Sequence, residues 1–321
     1  MNNLKIFCTI GPASLNKSFL INLDPKYVKL LRINLSHTHH NELEEIVKFI
    51  RRYTSIKICF DTEGAQIRTS IIKKGTKTLK MNNHYYLSDI EELSNFIPIK
   101  PVLIYKKIKK NDILSIDFNS AKIKVTKVED RRLKCKVIQE GMIGTNKSIA
   151  IDRSIIIPAF TENDMCSFEI AKKLNIKDIA LSFTSKSEDI IKLRQFFNYK
   201  INVTSKIESK KGIRNLESIL EETDNILIDR GDLSKEVPLE FIPKMQKKII
   251  HTSSRFKVPV YVATNLLESM VKSPEPTRAE INDIYNTLLD GASGLVLAAE
   301  TAIGKYPNDC IDMVIKVAKT L

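Results

Sequence analysis

At 321 residues the chain has room for one large domain, or for one large domain carrying an insert. Hydrophobic residues at 43% and charged ones at 28% describe a soluble globule and exclude a disordered or fibrous chain. The formal net charge of +13 raises nucleic-acid binding, but lysine is spread along the whole chain with abundant Asn and Ile, as a compositional bias produces. The densest patch, Tyr105-Lys106-Lys107-Ile108-Lys109-Lys110, reads as a solvated strand edge or loop, and no nucleic-acid partner is expected. No apolar run approaches the roughly 18–20 residues of a membrane span, and the first residues carry no signal-peptide core. A cytoplasmic location without a membrane partner is expected. Cys8, Cys59, Cys135, Cys166 and Cys310 are scattered and form no CxxC pair, so they read as buried small hydrophobes rather than a zinc site or disulfide framework.

In chain order, short β-rich runs fall at 4–9, 27–33, 56–60, 178–181, 201–204, 225–228, 259–263 and 294–298. Helical patterns follow most of them, at 41–53, 188–197, 211–222, 243–256, 278–290 and 308–321. Eight such units is the count of an α/β fold of the (β/α)8 TIM-barrel type, whose reactive groups come from the carboxyl ends of the strands. The third unit is interrupted. Between Thr69 and about Pro158 the helical rhythm gives way to β segments at 78–80, 102–105, 113–116, 121–128, 133–138 and 147–151. This predicts a small all-β domain inserted after strand 3 and carried as a lid on the barrel's active face. The expected domains are a catalytic barrel from residues 1–69 and 153–321 and an inserted β-barrel lid over 70–152. The last helix runs to the final residue, so no C-terminal regulatory domain is expected.

Polar and charged residues cluster where the predicted strands finish. The first ends in Cys8-Thr9-Ile10-Gly11-Pro12-Ala13-Ser14, and the second in Arg32-Ile33-Asn34-Leu35-Ser36-His37, where alternation turns Arg32, Asn34 and Ser36 to one side. The third ends in Asp61-Thr62-Glu63-Gly64 and the fourth in Ser182. The fifth and sixth end in Ser205-Lys206-Ile207-Glu208 and Asp229-Arg230-Gly231-Asp232, the seventh in Thr264-Asn265 and the eighth in Glu300-Thr301. One such residue would read as a satisfied helix cap or a structural ion pair. Eight ends converging on charge are costly to bury unless they pair or hold a ligand, and a phosphate-and-metal site would satisfy them.

These segments, together with Ala263-Thr264-Asn265-Leu266-Leu267-Glu268-Ser269-Met270, Pro276-Thr277-Arg278-Ala279-Glu280 and Leu289-Asp290-Gly291-Ala292, are similar to the pyruvate kinase family over nearly the full chain, in the right order. The resemblance implies a barrel with a β-rich lid and a phosphotransferase moving a phosphoryl group between phosphoenolpyruvate and a nucleoside diphosphate, giving pyruvate. It implies Glu208 and Asp232 as ligands of Mg2+ or Mn2+, with Lys206 and Arg32 stabilising charge on the phosphoryl group in flight. It places Thr264 by the substrate's methylene carbon and carboxylate, assisting protonation of the enolate. The backbone N–H groups of Gly231 and Asp232 would receive that carboxylate, with Ser182 among the substrate-binding residues. Asn34, Ser36, Asp61 and Thr62 match the family's monovalent-cation site, for K+, and His37, Arg68 and Lys147 match positions that meet the nucleotide. A homo-oligomer is compatible with the resemblance, although the family's usual interface is partly missing.

Departures cluster on the acceptor side. Glu63 reverses a charge of the family pattern, and Gln66 replaces an acid that goes with potassium dependence. Ser234 replaces a glycine, Asn265 a glutamine, and Ala298-Ala299 a Ser-Gly pair. The segment Thr38-His39-His40-Asn41 lacks the Gly and Tyr that shape the nucleotide pocket. Asp229 stands where a small residue precedes Arg-Gly-Asp and adds negative charge beside the metal. Two other readings follow. One is a repurposed paralogue using phosphoenolpyruvate or pyruvate with a non-nucleotide acceptor in a biosynthetic pathway, such as surface-polysaccharide assembly. The other is a non-catalytic metabolite-binding protein, against which the retained metal, lysine and threonine set argues.

Overall fold

Eight parallel strands close into a ring in the computed structural model, which describes residues 4–64, 66–89, 94–117, 120–153, 155 and 157–321. They are β1 (Lys5–Ile10), β2 (Val28–Asn34), β3 (Lys57–Asp61), β4 (Asp178–Leu181), β5 (Asn202–Ile207), β6 (Asn225–Asp229), β7 (Val260–Ala263) and β8 (Gly294–Leu297). Neighbours in the ring are neighbours in sequence except at the closure, where β8 pairs with β1 from Lys5↔Gly294 to Cys8↔Leu297. Gly294 is required there, since a Cβ would stand 1.9 Å from the Lys5 carbonyl oxygen. The fold is the (β/α)8 barrel that the strand count predicts.

The strands are apolar nearly end to end because both faces are covered, as in other parallel sheets. Phe7, Leu30, Cys59, Ala180, Leu227, Tyr261, Ala263 and Val296 form one buried cluster drawn from seven strands, with the Phe7 and Tyr261 rings stacked at 4.1 Å. This fills the barrel interior. Strand alternation then dictates the next layer, because a residue two positions further along points to the same side. Phe7 leads to Thr9, Leu30 to Arg32, Cys59 to Asp61, Ala180 to Ser182 and Leu227 to Asp229. The polar layer is stacked directly on the apolar one, at the carboxyl ends.

Four helices among the described residues escape the sequence pattern: the four-residue Arg230–Leu233 and Ala299–Ala302, then Lys17–Ile21 after β1 and Glu162–Lys173 before β4. The last buries Phe168 and Ala171 together with Asp164 and Ser167, so polar inward residues blur its periodicity. The stretch predicted as one helix at 211–222 is two, Lys210–Arg214 and Leu216–Glu222, broken at Asn215, whose side chain donates to the Ser185 carbonyl at 2.7 Å. By contrast Arg278–Leu289 starts on a full capping box between Thr277 and Glu280.

The chain divides into two compact units, Met1–Gly64 with Glu162–Leu321, and Ala65–Thr161. The division falls at 64 and 162 rather than 69 and 153 because Ile67–Thr69 pairs with Phe96–Lys100 and with Ser148–Ile151. The second unit is itself a closed barrel, in the order Leu133–Gln139, His84–Ser88, Phe96–Lys100, Ile67–Thr69, Ser148–Ile151, Ile113–Ile116 and Ala121–Val128. Its core includes Leu87, Ile97, Leu114, Ile116, Ile123 and Val125. The expected strand at 102–105 is corrected: a 3-10 turn, Ile104–Lys107, follows Leu103 in a left-handed conformation. Pro101 supplies no backbone donor there, and the strands lie upstream at His84–Ser88 and Phe96–Lys100. No helix among the described residues is long and apolar enough to cross a membrane.

Candidate active site

Asp61 closes β3 wholly buried and holds two cations. Arg32 on β2 donates to it from Nη1 at 2.8 Å, and Lys206 on β5 lies 3.2 Å away. Arg32 is fixed from its other side by Nε donating to the Thr9 hydroxyl at 2.9 Å, and that hydroxyl donates to the Leu297 carbonyl. Lys206 also donates to Ser182 at 3.0 Å and pairs with Glu208 Oε1 at 3.0 Å. It is only 5% exposed. Burial pulls the Lys206 ammonium pKa down, but the attraction of Asp61, Glu208 and Asp229 outweighs both burial and Arg32, and the net shift is upward. Lys206 is therefore a buried, charged lysine.

Glu208, Asp229 and Asp232 bring one carboxylate oxygen each to within 4.8 Å of the others. Glu208 follows β5 and accepts from the Phe183 N–H at 2.6 Å, an amide aimed by a left-handed backbone (φ +52°) that a bulky side chain rarely adopts. Its other oxygen, Oε1, faces Lys206 but accepts no hydrogen bond. Burial above all pushes the Glu208 pKa up to about 8; Asp232 and Asp229 add to this, while Lys206 and the Phe183 N–H oppose it. Asp229 is likewise raised, by burial first and Asp232 second, against the pull of Lys206, Arg32 and the Asp232 N–H. Asp229 ends β6 and caps the short helix Arg230–Leu233 through Asp232 N–H at 3.4 Å. Asp232 pairs with Lys235.

Thr264 follows β7 with φ +72°, an outlier for a β-branched residue, and Asn265 after it has φ +55°. The Arg230 guanidinium holds this turn. Its Nη2 and Nε donate to the Thr264 carbonyl at 2.6 and 3.2 Å, while Nη1 meets both oxygens of Asp283 at 2.8 and 2.7 Å. The Thr264 hydroxyl accepts from Gly231 N–H at 2.9 Å, and its one proton faces the Ala263 carbonyl at 2.5 Å and Asp229 Oδ1 at 3.3 Å. The two amides expected to take a carboxylate, Gly231 and Asp232, thus donate to Thr264 and Asp229.

The structure brings Arg32, Ser182, Lys206, Glu208, Gly231, Asp232 and Thr264 together at the strand ends. Asn34 and Asp61 sit side by side in register on β2 and β3, and Asn34 accepts from Ser36 N–H at 3.0 Å. The Asp61 carboxylate, however, is committed to Arg32 and Lys206, and Thr62 Oγ1 to Ser182 N–H at 2.9 Å. His37 is exposed on the loop after β2. Arg68 and Lys147 lie in the second unit, Arg68 on the strand Ile67–Thr69 and Lys147 just before the strand Ser148–Ile151 that pairs with it, with Arg68 donating to the Asn146 carbonyl at 2.9 Å and Lys147 pairing with Asp117 at 3.2 Å. Sequence reasoning missed Asp164, wholly buried, which accepts from the Glu63 and Gly64 amides at 2.7 and 3.1 Å. The pattern Thr161-x-x-Asp164 signals a helix start and could have flagged that helix, though not its partners. It also missed the Arg230–Asp283 pair and the partners of Glu300, whose carboxylate accepts from the Leu267 and Ala298 amides at 3.1 and 2.7 Å.

Comparison with known proteins agrees with this arrangement. The family described as "Pyruvate kinase, barrel domain" matches residues 1–311. A pyruvate kinase of Thermotoga maritima is 34% identical, the alignment covering 99% of this chain and 71% of that protein. That of Thermococcus litoralis is 33% identical over 98% of this chain and 69% of its own length, and that of Dictyostelium discoideum 32% over 98% and 65%. With the family matched over residues 1–311 and eight parallel strands closing into a ring, the chain belongs to the pyruvate kinase family.

Proposed function

We propose that this chain catalyses phosphoryl transfer between phosphoenolpyruvate and a nucleoside diphosphate, giving pyruvate, with Mg2+ or Mn2+ as cofactor. The observation that carries the reading is Lys206, a buried charged lysine ringed by Asp61, Glu208 and Ser182 beside a cluster of carboxylates. Phosphoryl transfer relies on positioning and electrostatics, and a fixed cation in a dry site supplies both.

The acids fit a divalent ion: Glu208 Oε1 is buried without a hydrogen bond, and the cluster is all hard oxygen donors. Glu208 and Asp232 would hold it, and when bound it supplies Lewis-acid stabilisation of the phosphoryl and enol oxygens. Lys206 and Arg32, both held by Asp61, stabilise charge on the phosphoryl group. Thr264 presents its hydroxyl to the enolate carbon, held by the Arg230 clamp on its carbonyl. A substrate carboxylate reaches the Gly231 and Asp232 amides by displacing Thr264 Oγ1 and Asp229 Oδ1 as their acceptors. His37, Arg68 and Lys147 are the candidate nucleotide contacts, and K+ the candidate monovalent ion.

The test is pyruvate formation from phosphoenolpyruvate, Mg2+ and a panel of nucleoside diphosphates, with Lys206→Ala beside the wild type. Turnover falling by about 10²–10³ in the variant supports the reading. Phosphoenolpyruvate binding without pyruvate release sinks it. A second reading, the same donor with a non-nucleotide acceptor, is favoured by one region: His40 is tied to Asn163 at 3.0 Å where the family shapes its nucleotide pocket. A new phosphorylated or pyruvylated product in mass spectra of acceptor pools would favour it.

A further inference from the structure

Neither Arg32 nor Lys206 depends on Asp229. Arg32 has Asp61 and Thr9, and Lys206 has Asp61, Glu208 and Ser182 within 3.2 Å, with Asp229 Oδ2 further off at 3.9 Å. Asp61 is paired with Arg32, Glu208 with Lys206 and Asp232 with Lys235, and Asp229 is a fourth carboxyl group added to the cluster.

Nor does capping the short helix account for Asp229. Its contacts with the Asp232 amide and the Thr264 hydroxyl are 3.4 and 3.3 Å, long beside the roughly 2.7–2.9 Å of a well-made hydrogen bond to a carboxylate. The residue is 7% exposed, so water does not solvate the charge well. What the geometry offers instead is Glu208 and Asp232, each with an oxygen within 4.8 Å of Asp229's own. Ligands about 2.2 Å from a shared ion stand at most about 4.4 Å apart, so closure takes shifts of a few tenths of an ångström. Glu208 Oε1 is buried and, although 3.0 Å from the Lys206 ammonium, takes no hydrogen bond, so a lone pair is open to an ion.

We propose that Asp229 is a third carboxylate ligand of the divalent-ion site, so that this chain holds its ion firmly before any substrate arrives. The inference rests on the reading of Glu208 and Asp232 as ligands and extends it to a residue that departs from the family pattern. Ion affinity rises with the number of charged ligands, and here the protein supplies from its own backbone position the negative charge that a substrate would otherwise bring.

The test is Mn2+ binding to the full chain without substrate, followed by electron paramagnetic resonance of the free ion. Asp229→Asn keeps an acceptor for the Asp232 amide and Thr264 and removes only the charge; Asp229→Ala removes both. Both variants should bind Mn2+ on the order of tenfold or more weakly than the wild type. Glu208→Gln is the control on the site itself. Loss of binding in Glu208→Gln with unchanged affinity in both Asp229 variants overturns the inference and leaves the metal reading standing. A wild-type chain that takes up no Mn2+ without substrate overturns the inference, and ion binding only with phosphoenolpyruvate present would keep the two-ligand site.

Discussion

Lys206 and Asp178 show how burial is answered by opposite means. Lys206 stays charged because three carboxylates more than offset its desolvation. Asp178, at the opposite end of β4, has weaker help: burial chiefly raises its pKa, Asp224 adds to that, and the Asn202 hydrogen bond at 2.6 Å and Lys57 oppose it. The sign follows from linkage. A carboxyl whose folded pKa lies above its unfolded one holds its proton longer in the folded state, so its stability cost is absent below about pH 3.8 and grows as pH rises through the folded value. Asp178→Asn can still accept from the Asn202 amide and carries no charge. Its melting temperature should exceed the wild type's at pH 7, and the advantage should vanish near pH 3.5. Parallel melting curves across that range would refute the assignment.

At the scale of elements, the turn after β7 depends on a residue of a different unit of the barrel. Thr264 sits in a strained backbone conformation of the kind that costs about 1–3 kcal/mol, and the Arg230–Asp283 pair holds its carbonyl there. Arg230 is a positioning residue. Arg230→Lys keeps the charge but loses the planar fork. Its kcat should fall on the order of ten- to a hundredfold, with Mn2+ affinity unchanged and Asp283→Asn behaving alike. A kcat equal to the wild type's would show that the turn holds without the clamp. Neither partner was legible beforehand, because Arg230 and Asp283 are far apart in sequence and nothing in spacing says which acid a guanidinium will meet. The strand ends were legible for a simple reason: period-2 alternation and the parallel ring together decide which side chains reach the lumen. Glu162–Lys173 was not, since its inward face carries Asp164, which takes the Glu63 and Gly64 amides, and Ser167, and these interrupt the apolar stripe that marks a helix.

For the whole molecule, the pattern of β runs sufficed for the ring and for the interruption in its third unit, while individual strands of the second barrel were misplaced because Pro and Lys-rich turns interleave with them. The last feature to consider is the seam. β1 and β8 pair across almost the entire chain, and Thr9, whose hydroxyl donates to Leu297, is the same residue that steadies Arg32. Thr301 reinforces the seam by donating to the Thr9 carbonyl at 2.9 Å. The order of events during synthesis and refolding follows. Local helices can form early, but a contact spanning such a sequence separation comes late, because the loop it closes is long. Until β8 docks, the Thr9 hydroxyl that anchors Arg32 lacks its Leu297 acceptor, and the cations at the strand ends are not fixed. Activity should therefore return with a lag behind far-UV circular dichroism when the denatured chain is diluted into buffer. Thr9→Ala should lengthen that lag; coincident recovery of both signals in wild type and variant would place the seam outside the slow step. Competence, on this view, is acquired last and all at once.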